Sequence, residues 1–300
     1  PRADAIYSWT TFCRHTFCKA ARLGMGRVLE NPATHRLTFE RLLQEELDFL
    51  GIRQQGTSAA VRERALEEYD LAQRIIVPSQ FAYDSFREHG VPAEKLCVLP
   101  YGVDGSRFNP QGREDDGVFR VLFVGEVGVR KGAIHLLRAW DKLDLSRSEL
   151  VLVGPVRAAV QAVAGPLLRR DDVRVVGFDA EPERWYKRSS VFVFPSLEDG
   201  FAMVVTEAMA CGLPVIITDH VGARDVVDEG KNGFIVQCRD PDGIAGRLEA
   251  LYRDPERRKA VGEAAAERAR TLTWTTYAVG TAEALAETVG GDRSTDDRSR

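Results

Sequence analysis

The sequence predicts an α/β protein built on doubly wound parallel sheets in two domains, and three observations predict it. Short apolar runs alternate with helical patterns along the chain, as happens when each strand crosses over a helix to reach a parallel neighbour. The runs are continuous rather than alternating, the pattern of strands covered on both faces. Finally, VDGSRFNPQGREDDG interrupts the pattern with Pro, Gly and charge and marks a domain boundary.

Taken in order, AIYSW, RVLE, RIIVPS and LCVLPYGV are candidate strands of an amino-terminal domain over residues 1–103. Residues 104–117 form the linker. VFRVLFVG, ELVLVG, VRVVG, VFVFP, PVIIT and GFIV then supply six strands of a nearly complete second domain over 118–272. A helix over 273–289 is expected to pack back toward the first domain. The tail over 290–300, with GDRSTDDRSR lacking any apolar residue to dock, is expected to be disordered.

Composition excludes several function classes. The 300 residues are 44% hydrophobic and carry a net charge of −4 with both signs interspersed, and no basic tract is interleaved with aromatics. A dedicated nucleic-acid binder is disfavoured on that ground. No apolar run approaches a membrane span, and the start PRADAIYSW lacks a signal-peptide pattern, so a cytoplasmic location is expected. The cysteines at 13, 18, 97, 211 and 238 show neither CxxC nor His-Cys ligand spacing. Neither zinc nor a disulfide framework is indicated, and free thiols are expected, although Cys13 and Cys18 could pair.

The segment VFVFPSLEDGFAMVVTEAMACGLPV carries the most chemistry. It reads as a buried strand, a loop punctuated by Gly200, a helix from Met203 to Cys211 closed by Gly212, and the next strand: one βαβ unit. Asp199, Gly200 and Phe201 fall at the carboxyl end of the strand, where open parallel sheets bind ligands, and the helix start offers amides to an anion. Met203, Val204, Val205, Ala208, Met209, Ala210 and Cys211 surround Glu207, so its carboxylate should be substantially buried and in need of donors. Vicinal hydroxyls of a sugar or ribose would supply two. A backbone or Arg cap would serve as well.

A second patch runs from FRVLFVG through EVGVRKG into AIHLLRAW. Gly125, Gly128 and Gly132 allow close backbone approach, and Arg130 and Lys131 lie beside a helix start, where they could clamp a diphosphate or simply be solvated. The spacing is not GxGxxG, which disfavours a nicotinamide cofactor.

Acidic-Gly-Phe followed after seven residues by Glu207, then AMACGLPV, resembles the signature of the family-4 retaining glycosyltransferases, with a GT-B fold of two Rossmann-like domains facing a cleft. The resemblance covers about residues 70–285, including RIIVPSQFAYDSFREHGVPAEKLCVLPYGVDGSRFNP and VRVVGFDAEPERWYKRSSVFVFPS, and is most specific between 119 and 236. It implies transfer of a hexose from a nucleotide-diphosphate sugar to a hydroxyl acceptor (a glycan, lipid or small molecule) with retention of configuration, in polysaccharide or glycoconjugate biosynthesis. No cofactor and no metal are implied. Asp199 with Gly200, Phe201, Ala202, Met203 and Val204 would hold the transferred sugar and its phosphates, and Glu207 the ribose. Gly125, Lys131 and Arg130 would face the diphosphate, and Gly177 and Phe178 would receive the base, though Phe178 reads equally as a core aromatic. Three positions depart from the family: Asp199 is usually Glu, Ala202 is usually Gly, and Glu126 stands where an Arg is usual.

The resemblance also implies that the first βα units of the amino-terminal domain are absent. His35 resembles the family's cleft histidine and is a catalytic candidate, against the commoner structural role of a loop histidine. The basic helix CRHTFCKAARLGMGR, with Arg14, Lys19, Arg22 and Arg27, could touch a membrane surface or an anionic acceptor, or be a solvated face; membrane contact is at most peripheral. A nucleotide-sugar binding module without transferase activity, or an epimerase or phosphorylase on the same fold, are the alternative functions.

Overall fold

The computed structural model describes residues 3–53 and 56–290; the tail expected to be disordered, 291–300, lies outside them. Within these residues the chain forms β1 (Ala5–Trp9), α1 (Arg14–Arg22), β2 (Gly26–Glu30), α2 (Arg36–Phe49), α3 (Ala59–Leu71), β3 (Arg74–Val77), α4 (Gln80–Glu88) and β4 (Leu96–Val98). There follow β5 (Phe119–Val124), α5 (Ala133–Asp141), β6 (Ser148–Val153), α6 (Ala158–Leu168), β7 (Val173–Gly177), α7 (Glu183–Lys187), β8 (Val191–Phe194) and α8 (Met203–Ala210). The chain continues with β9 (Val215–Thr218), β10 (Gly233–Val236), α9 (Pro241–Arg253), α10 (Pro255–Ala269) and α11 (Trp274–Gly290). Each candidate strand of the sequence is present. Every pairing between these strands is parallel, as the unbroken apolar runs required.

Two compact units form. The first, whose described residues are 3–41, 56–102 and 274–290, is built on a sheet of order β1-β2-β3-β4. Phe17, Tyr69 and Phe86 pack with Ile75 on one side, and Ala284 of α11 packs with Val28 and Ile76 on the other. Two fully buried acids brace the unit. Glu68 accepts the amides of Thr11, Cys13 and Arg14, so it caps α1 in place of Cys13, which offers no side-chain cap. Glu30, the last residue of β2, accepts phenol hydrogens from Tyr7 at 2.9 Å, Tyr101 at 2.6 Å and Tyr277 at 2.8 Å. Burial raises its carboxyl above the usual range against the pull of those three bonds.

The second unit comprises Leu42–Arg53 and Val103–Thr273 around a sheet of order β10-β9-β8-β5-β6-β7. β5, β8 and β9 are buried along their whole length. Only the first six residues of α2 group with the first unit; the sequence division had placed all of it there. The reason is that Leu47 joins the second core, and buried Glu46 bonds to His135 Nε2 at 2.8 Å and to Arg239 Nε at 2.7 Å. Strand order reverses between β5 and β8, because β6 and β7 lie to one side of β5 and β8 to the other. The carboxyl ends of those two strands are the position at which open parallel sheets bind ligands.

Gly154, just past β6, shows how tightly these loops pack. Its φ is 143°, and a Cβ there would collide with the Gly125 carbonyl oxygen. Gly154→Ala is expected to destabilise the protein by more than about 3 kcal/mol, read as a lower midpoint in urea unfolding. A midpoint unchanged from the parent chain would contradict the packing.

Candidate functional site

The loop after β5 is shaped by Gly132, at φ 70°, where a Cβ would collide with the Pro195 carbonyl oxygen of the β8 loop. This contact sets Lys131 against Asp199: the Lys131 Nζ bonds to the Asp199 Oδ2 across the switch point, and it sits 5.2 Å from the Phe194 ring centroid. The other carboxylate oxygen, Oδ1, accepts the Phe201 amide at 3.2 Å. Backbone bonds from Asp199 to His220 at 3.2 Å and from Gly222 to Asp199 at 2.9 Å fix the acid against the loop after β9. Gly200 and the ring of Phe201 are buried beside it.

Arg130 lies in the same loop but is engaged differently. Its Nη1 donates to the Glu198 carbonyl at 2.9 Å and to Glu198 Oε2 at 3.2 Å, and Glu198 is 1% exposed. The Arg130 carbonyl in turn accepts the Leu197 amide at 2.8 Å and the Ser196 hydroxyl at 3.1 Å. Arg130 therefore staples the two loops rather than standing beside Lys131. Glu126, the position of reversed charge, forms an ion pair with Arg157.

At the start of α8, Ala202 adopts the left-handed conformation, φ 63° and ψ 75°, and no side chain caps the helix. The amides of Met203 and Val204 open the helix there, with Met203 39% exposed and Val204 half-buried. Glu207 lies in the second turn of the helix. Among the described residues Tyr186, itself fully buried, is the group hydrogen-bonded to its carboxylate, at 2.9 Å to Oε2. Burial raises the Glu207 carboxyl above its usual range, opposed by the Tyr186 hydroxyl and by Arg107 nearby. Arg107 is held by Glu183 at 2.8 Å and by the Ala180 carbonyl at 2.9 Å.

Gly125, at φ 137°, and Gly177, at φ 82°, end β5 and β7 at the same edge of the sheet. Phe178 is 83% exposed, so the core role open to it in the sequence is not the one it takes. The Asp179 carboxylate holds the turn behind it by accepting from the Glu181 amide, Arg184 and Trp185 Nε1.

His35 is elsewhere. It is 3% exposed in the first unit, stacked on His89 at 4.2 Å and flanked by Tyr69 and Phe86, each at 5.0 Å. Its Nδ1 accepts the Leu37 amide at 3.3 Å, and burial lowers its pKa to about 4, with His89 adding repulsion. The catalytic expectation for His35 gives way to a packing role, since its ring is enclosed and neutral. Sequence reasoning passed over Glu198, Arg107 and Tyr186 and gave His220 a weaker claim than His35; the places of all four depend on tertiary contacts. Only Glu198 left a local sign, a second acid in the strand-end loop. The five cysteines are free. Among the described residues no group of three or more His, Cys, Asp or Glu is gathered as a metal site, and no helix is long and apolar enough to cross a membrane.

A doubly wound sheet with a cation, two acids and an uncapped helix at its switch point defines a class of α/β proteins that bind small anionic ligands. Residues 106–268, more than half of the chain, match the family model of glycosyl transferases group 1, and the chain belongs to that family. It is 29% identical over 245 residues to a D-inositol 3-phosphate glycosyltransferase of Paenarthrobacter aurescens, covering 74% of this chain and 59% of that protein. It is 29% identical over 220 residues to a sulfoquinovosyl transferase of Arabidopsis thaliana, covering 66% of this chain and 41% of that one. The chain thus spans less than two thirds of the length of these relatives. Among solved structures, sucrose-phosphate synthase from Thermosynechococcus elongatus superposes with a TM-score of 0.78 at 21% identity, covering 95% of this chain and 73% of that one. Anabaena HepE in complex with UDP superposes with a TM-score of 0.76 at 18% identity, covering 94% and 78%. The fold is of GT-B type, with two Rossmann-like units.

Ala202→Gly is expected to stabilise the chain by about 0.5–1 kcal/mol, the left-handed cost of a β-carbon outweighing the entropy of glycine; a lower melting temperature would contradict this. His35 binds its proton more weakly in the fold than in the unfolded chain. The stability it contributes is complete above pH 6.5 and is lost as pH falls to about 4, a change of about 3 kcal/mol. Unfolding measured from pH 7 to pH 4 should therefore decline more steeply for the parent chain than for His35→Phe, and equal slopes would refute the burial argument.

Proposed function

We propose that this protein transfers a hexose from a nucleotide-diphosphate sugar to a hydroxyl acceptor, with retention of anomeric configuration and without a metal ion. The observation that carries the reading is the bonded pair of Lys131 and Asp199 at the β5/β8 switch point, beside the uncapped start of α8 and the half-buried Glu207. Glu207 spends one oxygen on Tyr186; the other suits a ribose hydroxyl. Such donors favour the ionised carboxylate and would offset the cost of its burial.

In this reading the diphosphate lies against Lys131 and the amides of Met203 and Val204. Their fixed positive charge takes the part a metal plays in other phosphate chemistry. Asp199, with the backbone of Gly200 and Phe201, takes hydroxyls of the transferred sugar. Phe178, exposed at the end of β7, stands beside the base. Arg130 is a positioning residue, acting through Glu198 on the loop that carries Asp199. The acceptor oxygen bonds to the anomeric carbon as the bond to the phosphate breaks, and the acceptor's proton passes to the departing phosphate. No protein nucleophile is required. The acceptor is a glycan, lipid or small molecule, and the reaction belongs to polysaccharide or glycoconjugate biosynthesis in the cytoplasm. Membership of the glycosyl transferases group 1 family and the transferase names of the relatives support the reading.

Calorimetric titration with UDP, GDP and ADP tests it. One nucleotide is expected to bind, with affinity reduced about tenfold in Lys131→Ala and about a hundredfold in Glu207→Gln, as befits hydrogen bonds to charged groups. A folded chain that binds none of the three would sink the proposal.

A further inference from the structure

Residues 104–109, near the start of the long stretch of the second unit, fold into a short turn. Asp104 builds it: its carboxylate accepts the Ser106 amide at 2.9 Å and the Ser106 hydroxyl at 2.6 Å, and its carbonyl accepts the Phe108 amide at 2.8 Å. An aspartate that bonds the backbone two residues on fixes a turn of this kind. Asn109 closes it, donating from Nδ2 to the carbonyls of Gly105 at 3.3 Å and Ser106 at 3.0 Å. Arg107 and Phe108 therefore extend from a braced segment.

Both side chains engage α7 and the loop before it. Arg107 donates to Glu183 Oε2 through Nε at 3.1 Å and Nη2 at 2.8 Å, and through Nη2 to the Ala180 carbonyl at 2.9 Å. Phe108, buried, meets the Tyr186 ring edge-on at 5.9 Å, and the Tyr186 hydroxyl bonds to Glu207 at 2.9 Å. One turn thus holds the loop behind Phe178 and backs the phenol that holds Glu207. The side chains of Arg107 and Glu183 are 43% and 26% exposed, and ion pairs so open to water add little to stability. Their geometric content is larger, because a planar fork that engages a carboxylate and a main-chain carbonyl together fixes the direction of the loop. The charge also reaches Glu207. Burial raises the Glu207 carboxyl, Tyr186 and Arg107 lower it, and Glu183 raises it; Cys211, one turn further on, lies in the same field. Since Glu207 is half-buried, these charges act on it with less screening than at an open surface.

We propose that Arg107 is a positioning residue for the nucleoside half of the donor: it ties the β7–α7 loop to the turn and supplies the positive charge that keeps Glu207 an acceptor for the ribose. This role rests on the donor reading above and adds to it a residue that acts through others. Loss of the Arg107 charge raises the Glu207 carboxyl further, so more of it is protonated as pH falls. A protonated acid is the poorer acceptor for ribose hydroxyls.

UDP, GDP and ADP, titrated calorimetrically at pH 8 and at pH 5.5 into the full chain and into Arg107→Gln, test the role. The nucleotide that binds the parent chain should bind Arg107→Gln about tenfold more weakly at pH 8, and the deficit should widen at pH 5.5. Lost packing alone would leave the deficit equal at both. Glu183→Gln keeps an acceptor for the guanidinium and removes the opposing charge, so its affinity relative to the parent should rise as pH falls. That opposite sign makes Glu183→Gln the decisive variant wherever Arg107→Gln unfolds. Equal affinity of parent and Arg107→Gln, a deficit that does not change with pH, or a relative affinity of Glu183→Gln that does not rise would each overturn the role of Arg107 and leave the donor reading standing. A folded parent chain that binds none of the three nucleotides would overturn the donor reading and this role with it.

Discussion

The approach of the β5 loop to the β8 loop is the constraint on which the site depends. Gly132 lets the backbone pass under the Pro195 carbonyl at a distance no β-carbon permits. That passage places the end of one strand's loop beside the end of its neighbour's, across the line where strand order reverses. Lys131 then meets Asp199, Arg130 meets Glu198, and α5 and α8 both start at the same edge of the sheet. A displacement of one loop by the width of a methyl group would separate both ion pairs together.

Buried carboxylates recur through the structure, and how each is satisfied separates support from chemistry. Glu68 is saturated by three backbone amides, Glu30 by three phenols, Glu46 by His135 and Arg239, and Glu198 by Arg130. Each of these acids is exposed by 1% or less. Removing a partner from such a group strands a charge in a low dielectric, which is why each braces the unit it lies in. Glu207 differs: it is partly open, and among the described residues Tyr186 is the one group hydrogen-bonded to its carboxylate. An acid left short of donors at a switch point is suited to a ligand that brings them.

The sheets were legible because strands covered on both faces leave unbroken apolar runs such as FRVLFV and VIIT. The placement of Asp199 and Lys131 in strand-end loops and of Glu207 on a helix was legible because residues at strand ends and helix starts are fixed by local spacing. What spacing does not encode was missed. His35 sits in a loop like a cleft residue, yet Tyr69, Phe86 and His89 come from other segments to enclose it. Arg130 neighbours Lys131 in the chain, but its partner, Glu198, is set by the approach of the β8 loop. The membership of Leu42–Arg53 in the second unit depends on Glu46 finding His135 and Arg239, far along the sequence. Ala202 shows the reverse case: the departure from glycine was visible, whereas its left-handed conformation was not.

The bond between Lys131 and Asp199 means that the switch point carries its own counter-ion. On the proposed reading, a phosphate drawn to Lys131 would exchange with a carboxylate already in place and not displace a solvent ion from a bare cation. Attraction at a distance is correspondingly weak, because the pair presents a dipole and not a net charge to an approaching anion. Encounter is then governed by diffusion and fit more than by steering. On the same reading the released carboxylate would become a hydrogen-bond acceptor at the moment a sugar arrives beside it, a lone phosphate would open the pair without reward, and discrimination against simple anions would follow from the exchange itself.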